Sequence, residues 1–451
     1  MNKTLLALII ATLPLASRAE MPMQDLLSTY QQAQTNDPTW AAAQNANIAA
    51  QEKLVQGKAL LLPTAKLGAN AGHTQSNLDR TGGITNIGRS GHDDFETYGY
   101  NLNINQPLYR KQNSIQYEQS KIQVAQAGEQ LNTSHQDLML RVSQAYFDVL
   151  LAQDKIDLIQ AQKAAISRQL EQAKANFEVG SATITDVHEA QARYDLTVAQ
   201  EIAAVNELEA KKHAIQAVTG QMPQRLATAK SDLQAAIPQP YEMEKWVEVA
   251  SENNLALKIQ LQSLQLANQE VERTQAGHLP TLDVVGTYSD NRANGGVSSD
   301  LVGYNKAVKT AVVGLQFEIP LYQGGAISSR VREAIANQQK SQDDVEAARR
   351  QAELQTRQAY LNVTSSVAQV TAYEQALVSS QSQLDSTSLG YEVGVRTSVD
   401  VLNAQQQLYS AKRDLLQARY SWLLSVLQLK AAAGVLTEDD LAATNKLLEG
   451  S

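Results

Sequence analysis

The chain is written twice. The stretch "FEVGSATITDVHEAQARY", beginning at Phe177, and "YEVGVRTSVDVLNAQQQL", beginning at Tyr391, share eight of 18 positions at a constant offset of 214 residues. The shared residues include Gly180/Gly394, Thr183/Thr397 and Asp186/Asp400. The same offset pairs Ala145-Tyr146 with Ala359-Tyr360, and Gly220 with Gly434. Upstream the offset shifts by a few residues, so that "LPT" at Leu62 answers "LPT" at Leu279, and "PLY" at Pro107 answers "PLY" at Pro320. A tandem duplication obliges each half to build the same unit. The halves run over 20–240 and 241–451 and follow a short leader at 1–19.

That leader reads "MNKTLLALIIATLPLASRAE". Lys3, an apolar run from Leu5 to Leu15, and Ser17 and Ala19 at −3 and −1 of a cleavage site form the three parts of a secretory signal peptide. The chain carries 38 Lys+Arg against 47 Asp+Glu, a net of −9. Cleavage after Ala19 removes Lys3 and Arg18 and leaves about −11. An acidic chain is a poor nucleic-acid binder. There is no cysteine. That excludes disulfides, thiolate metal sites and cysteine nucleophiles, and it suits an oxidising compartment.

Each half reads as helix, strand, loop, strand, very long helix, turn, helix. In the first half the strands lie near 64–73 and 98–108, the long helix over 110–178 and the next helix over 182–219. In the second they lie near 281–289 and 308–319, over 326–391 and over 396–433, with a tail beyond. No proline interrupts the chain between Tyr109 and Pro223. Within that stretch Leu138, Val142, Ala145, Val149, Ala152, Ile156, Ile159, Ile166, Leu170, Ala173 and Phe177 recur in steps of four and three, broken only at Lys163. This is the 3.5-residue seam of helices that coil around neighbours. Ala359, Val363, Val370, Leu377 and Leu384 repeat it with smaller side chains. At ~1.5 Å per residue, the helix from Arg110 to Glu178 predicts a rod of roughly 100 Å. Gly180 and Gly394 then end the long helices, because glycine accepts the left-handed backbone of a C-cap.

The strands alternate with a period of two. In "YGYNLNINQPLY", Tyr98, Tyr100, Leu102 and Ile104 share one face, opposite Gly99, Asn101, Asn103 and Asn105. The other three strands divide in the same way, and each is about 9–11 residues, the length that crosses a bilayer when tilted. A soluble sheet with one wet face gives such a pattern. A membrane barrel gives it too, with the apolar face to lipid and the polar face to a lumen. Export, tyrosines near the strand ends and the small, hydrated asparagine face favour the barrel. Four strands cannot close a barrel, and open edges cannot stand in lipid. The chain must therefore oligomerise. The residues alone permit eight strands from two copies or twelve from three.

No P-loop, GxGxxG or GxSxG pattern is present, and His188-Glu189 lacks the second histidine of a zinc helix, since Ala192 takes that place. The expectation is no enzyme, no cofactor and no metal, with energy supplied by another protein.

"GHLPTLD" at Gly277, "PLYQGG" at Pro320, "GYEVGVRTSVDVLNA" at Gly390 and "FEVGSATITDV" at Phe177 resemble the TolC family of outer-membrane efflux proteins, or channel-tunnels. The similarity runs in order along nearly the whole mature chain. It implies a mixed α/β membrane protein. Three protomers would build a 12-stranded antiparallel outer-membrane β-barrel, continuous with a long periplasmic α-helical coiled-coil tunnel. Gln221–Tyr241 and the tail after Gly434 would form an equatorial belt. The resemblance implies an exit duct for drug efflux and type I secretion in a Gram-negative outer membrane. Its partners would be a periplasmic adaptor and an inner-membrane RND, ABC or MFS transporter. Carried over residue by residue, the links that hold the periplasmic end shut fall on Thr185, Asp186, Tyr391 and Arg396. Tyr391 and Arg396 would donate to Asp186. The acidic pore ring falls on Asp400 and on position 403, where this chain has Asn403. The ring thereby loses half its charge. Ser388 stands where the family has a further linking glutamate. The turns at Gly180 and Gly394 would meet the adaptor.

From the residues alone, charged groups at such turns are also ordinary helix caps. Two rival functions remain open on this reading. One is a coiled-coil surface or adhesin-like protein with a small β-barrel anchor. The other is a soluble periplasmic scaffold. An adhesin needs an exposed passenger segment, and a scaffold extracts without detergent.

Overall fold

The computed structural model describes residues 23–78, 91–230, 233–295 and 306–448; the expected leader and the tips of the two polar loops lie outside them. Among the described residues are nine α-helices and four strands. In order they are α1 (Leu26–Asn36), α2 (Pro38–Ala59), β1 (Thr64–Leu78), β2 (Gly91–Tyr109), α3 (Lys111–Glu178), α4 (Ile184–Thr219), α5 (Met243–Asn253), α6 (Leu255–Gln275), β3 (Thr281–Asn294), β4 (Lys306–Glu318), α7 (Ala326–Glu392), α8 (Ser398–Ala432) and α9 (Glu438–Asn445). No described helix is long and apolar enough to cross a membrane.

At the ends of the two longest helices the duplication is reproduced hydrogen bond for hydrogen bond. At the end of α3, Val179 N–H donates to Ala175 at 3.3 Å, Gly180 N–H to Phe177 at 2.9 Å and Ser181 N–H to Asn176 at 2.8 Å. At the end of α7, 214 residues on, Val393 donates to Leu389 at 3.1 Å, Gly394 to Tyr391 at 3.0 Å and Val395 to Gly390 at 2.9 Å. Gly180 and Gly394 have φ of 74° and 80°, the left-handed conformation that costs an L-residue with a Cβ about 1 kcal/mol. Each following helix opens on a capping box, Thr183 with Asp186 and Thr397 with Asp400.

Where one helix was expected before the strands of each half, the structure has two. The breaks fall at Asp37 and, 217 residues on, at Asn254. Both side chains turn back to cap a new helix: Asp37 accepts from Thr39 N–H and Asn254 from Leu257 N–H, each at 3.0 Å. These residues favour caps over helix interiors because their short polar side chains compete for backbone donors.

The chain forms two compact units. One comprises Met1–Ala41, His135–Glu248 and Gln355–Ser451. Its core is the seam read from the sequence. Val149, Ala152, Ile156 and Ile159 of α3 pack with Ala204, Leu208 and Ile215 of α4, and Ile166, Leu170 and Ala173 of α3 pack with Ala190 and Leu402. In α7, Val363 and Val370 are buried, while Ala359, Leu377 and Leu384 are half-buried. The segments after α4 and after α8 are stitched to this core. Ala229 pairs with Leu448, Tyr146 donates to Ala227 O at 2.8 Å, and Trp422 donates to Ala236 O at 3.1 Å.

The other unit comprises Ala42–Ser134 and Val249–Leu354. Here α2 runs close against α3 because residue 57 is glycine; a Cβ there would stand 2.3 Å from Ser120 Oγ. Gln126 ties α3 to α6 through Ser263 Oγ at 2.8 Å. The strands form one antiparallel sheet in the order β1-β2-β3-β4. They run 15, 19, 14 and 13 residues, longer than the expected 9–11, because ladder pairing continues past the apolar rows into polar arms such as Gln75↔Asp94.

Candidate functional site

In the helical unit, the end of α3 and the starts of α4 and α8 converge on a small core. Polar contacts link the helices around it. Gln169 of α3 donates to Ser398 Oγ of α8 at 3.3 Å, in a buried setting. Asn176 Nδ2 of α3 donates to the Tyr391 hydroxyl of α7 at 3.2 Å. Arg193 of α4 donates from Nη2 to Asn403 Oδ1 of α8 at 3.0 Å, and from Nη1 to Gln406 Oε1.

The expected gate residues sit around this cluster: the acids Asp186 and Asp400 bond locally, whereas Tyr391 and Asn403 accept from other helices. Asp186 accepts from Thr183 N–H at 3.0 Å and from the Thr183 hydroxyl at 2.7 Å. Thr185 is exposed beside it. Tyr391 meets Asn176 rather than Asp186. The Arg396 stem lies over Gly390, where a Cβ would be 2.7 Å from Arg396 Cγ. Among the described residues, neither Tyr391 nor Arg396 donates to Asp186. Asp400 accepts from Thr397 N–H and from the Thr397 hydroxyl, both at 2.9 Å. The backbone donor first, then the hydroxyl, hold its carboxyl below the usual range; some desolvation opposes them, and the nearby Arg396 charge adds to the lowering. Asn403 is exposed, with its amide oxygen held by Arg193.

Among the contributors that escaped the sequence reading are Gln169, Asn176 and Arg193. Two of them break the repeat. Asn176 answers Gly390 in the second copy, and Arg193 answers Gln407. A departure from an otherwise faithful duplication was the available signal.

The sheet unit presents two unlike faces. Leu67, Leu102, Tyr288 and Ala311 stand in one cross-strand row, and Ala65, Ile104, Gly286 and Val313 in the next row on the same face. This face is bare: Leu67 is 75% and Val313 82% exposed. The opposite face carries Gly68, Asn101, Ser289 and Thr310 in one row, and Lys66, Asn103, Thr287 and Val312 in another. There Thr287 donates to Asn103 Oδ1 at 3.1 Å. The buried Asp283 carboxylate is gripped by Arg110, whose Nε lies 2.9 Å from Oδ1. Tyr100 and Tyr288 stack at 6.3 Å on the bare face, and Tyr100 donates to Asp290 at 3.3 Å. Among the described residues, no group of three or more His, Asp or Glu side chains could hold a metal ion.

The model of the outer membrane efflux protein family matches residues 29–221 and 246–435, one stretch in each copy of the duplication. The chain is 34% identical over 424 residues to the outer membrane protein TolC of Vibrio cholerae, covering 94% of this chain and 93% of that protein. It is 31% identical over 422 residues to the proteases secretion protein PrtF of Dickeya chrysanthemi, covering 92% and 89%. Its fold matches the crystal structure of the outer membrane protein VceC of Vibrio cholerae with a TM-score of 0.72 at 19% identity, over 91% of this chain and 96% of that one.

Proposed function

The chain belongs to the outer membrane efflux protein family, and from that membership we propose that it is the passive exit duct of a tripartite export system, serving drug efflux, type I secretion or both. It is an outer-membrane channel-tunnel of a Gram-negative bacterium, a barrel joined to a long periplasmic helical tunnel. One observation carries the reading: a four-stranded sheet with a bare apolar face, a polar opposite face and two unpaired edges. A lipid-facing sheet cannot leave its edge N–H and C=O groups unpaired. Three copies close twelve strands, with the asparagine face lining a wet lumen. Exposed apolar residues on the long helices, among them Ile202 and Val378, supply surface for the same trimer.

A duct without nucleotide- or cofactor-binding motifs takes its energy from partners. These are a periplasmic adaptor at the turns around Gly180 and Gly394, and an RND, ABC or MFS transporter in the inner membrane. Thr185, Asp186, Tyr391 and Arg396 link neighbouring helices in the closed trimer. Asp400 and Asn403 mark the constriction. Expression in cells deleted for their own exit duct tests the reading. It predicts restored tolerance to dyes and detergents. Correct outer-membrane insertion without any restored tolerance or secretion would contradict it.

A further inference from the structure

Arg193 is a gate-region cation bonded across two helices at the level of position 403. Its Nε donates to Glu189 Oε1 at 3.1 Å, one turn back on α4. Its two terminal nitrogens reach α8, where Asn403 and Gln406 also lie one turn apart. A guanidinium is a rigid planar fork, so the Glu189 contact fixes its plane and aims the remaining donors. The stem is packed, and 27% of the side chain remains exposed. The second copy has Gln407 at the matching position, so the duplication does not account for the arginine.

We propose that Arg193 is a gate clamp: its fork holds the start of α8 against α4, and opening requires it to let go of Asn403 and Gln406. This rests on the exit-duct reading above and adds a positioning residue to its gate. It also gives a reason for the amide at 403. A carboxylate there would lock onto the guanidinium as an ion pair, whereas an amide oxygen accepts a weaker bond that can be exchanged for water. With Asn403 committed to α4, Asp400 alone supplies the fixed negative charge of the constriction.

The test is conductance of the inserted oligomer in planar bilayers, with block by a multivalent cation added on the periplasmic side. Arg193→Ala should raise the resting conductance several-fold, and Arg193→Lys, which keeps the charge but loses the fork, should fall between the two. Asn403→Asp should lower resting conductance while barely strengthening the block, because the new carboxylate is paired. Asn403→Asp combined with Arg193→Ala should leak and be blocked much more tightly. A purely structural role for Arg193 would not couple the block at 403 to residue 193. If Arg193→Ala and Asn403→Asp match the parent while Arg396→Ser with Tyr391→Phe opens the pore, the clamp is refuted and the duct stands. If an inserted parent oligomer never conducts, the duct reading falls and the clamp with it.

Discussion

Asp400 closes the capping box with Thr397 and is the proposed pore charge, and the two roles separate by substitution. Its carboxyl is held below the usual range, so the charge is in place above that range and fades only as pH falls through the lowered value. Multivalent-cation block should therefore persist into mildly acidic solution. Asp400→Asn should abolish most of the block while leaving an oxygen to accept from Thr397; unchanged block would show that the constriction lies elsewhere. Asp154 behaves oppositely. Burial raises its pKa, with Asp157 adding, while the Tyr420 hydroxyl at 2.6 Å opposes the rise. A raised carboxyl favours folding at low pH and loses that advantage as pH rises through the folded value. Tyr420→Phe should thus cost about 1–3 kcal/mol at neutral pH, and the loss should shrink in acid; melting temperatures at two pH values check it. The candidate acids were visible in the repeat. The cross-helix links through Asn176 and Arg193 were harder to read, because those residues matter only once it is known which helix faces which.

At the scale of elements, the seam was the most legible part of the chain. Steps of four and three leave a trace in the sequence because packing selects every one of those positions, and Leu138, Val142 and Ala173 are fully or almost fully buried. The breaks at Asp37 and Asn254 were not legible, since a single capping side chain leaves no periodic trace. The close approach of α2 to α3 at Gly57 was equally hidden. Gly57→Ala should destabilise that pair, and Ser120→Ala should recover part of the loss by removing the nearest atom. The turns give a cleaner contrast. Gly180→Ala and Gly394→Ala meet nothing within 4 Å, so each should cost about 1 kcal/mol through backbone strain alone. Val179 and Val395, 77% and 76% exposed, flank these glycines. In a chain without cysteine, Val179→Cys or Val395→Cys should cross-link to a periplasmic adaptor in cells. Cysteines at both turns that capture no adaptor would remove the docking assignment.

For the whole molecule, the two faces of the sheet make opposite demands. Val313→Arg puts a charge on the lipid face and should cost about 2–4 kcal/mol near the bilayer midplane, sharply lowering the yield in outer-membrane fractions. Val312→Arg, one residue away on the lumen face, should insert normally. The dyad pattern exposed this division in the sequence, because lipid and water select alternate residues. Closure was legible only as a necessity: four strands with open edges demand other copies. The most direct measurement is single-channel recording from the detergent-purified oligomer, with its mass determined in the same preparation. A trimer that gives small, stable openings is expected, enlarged when Arg396→Ser and Tyr391→Phe are combined. An inserted trimer that passes no current, even with those substitutions, would contradict it.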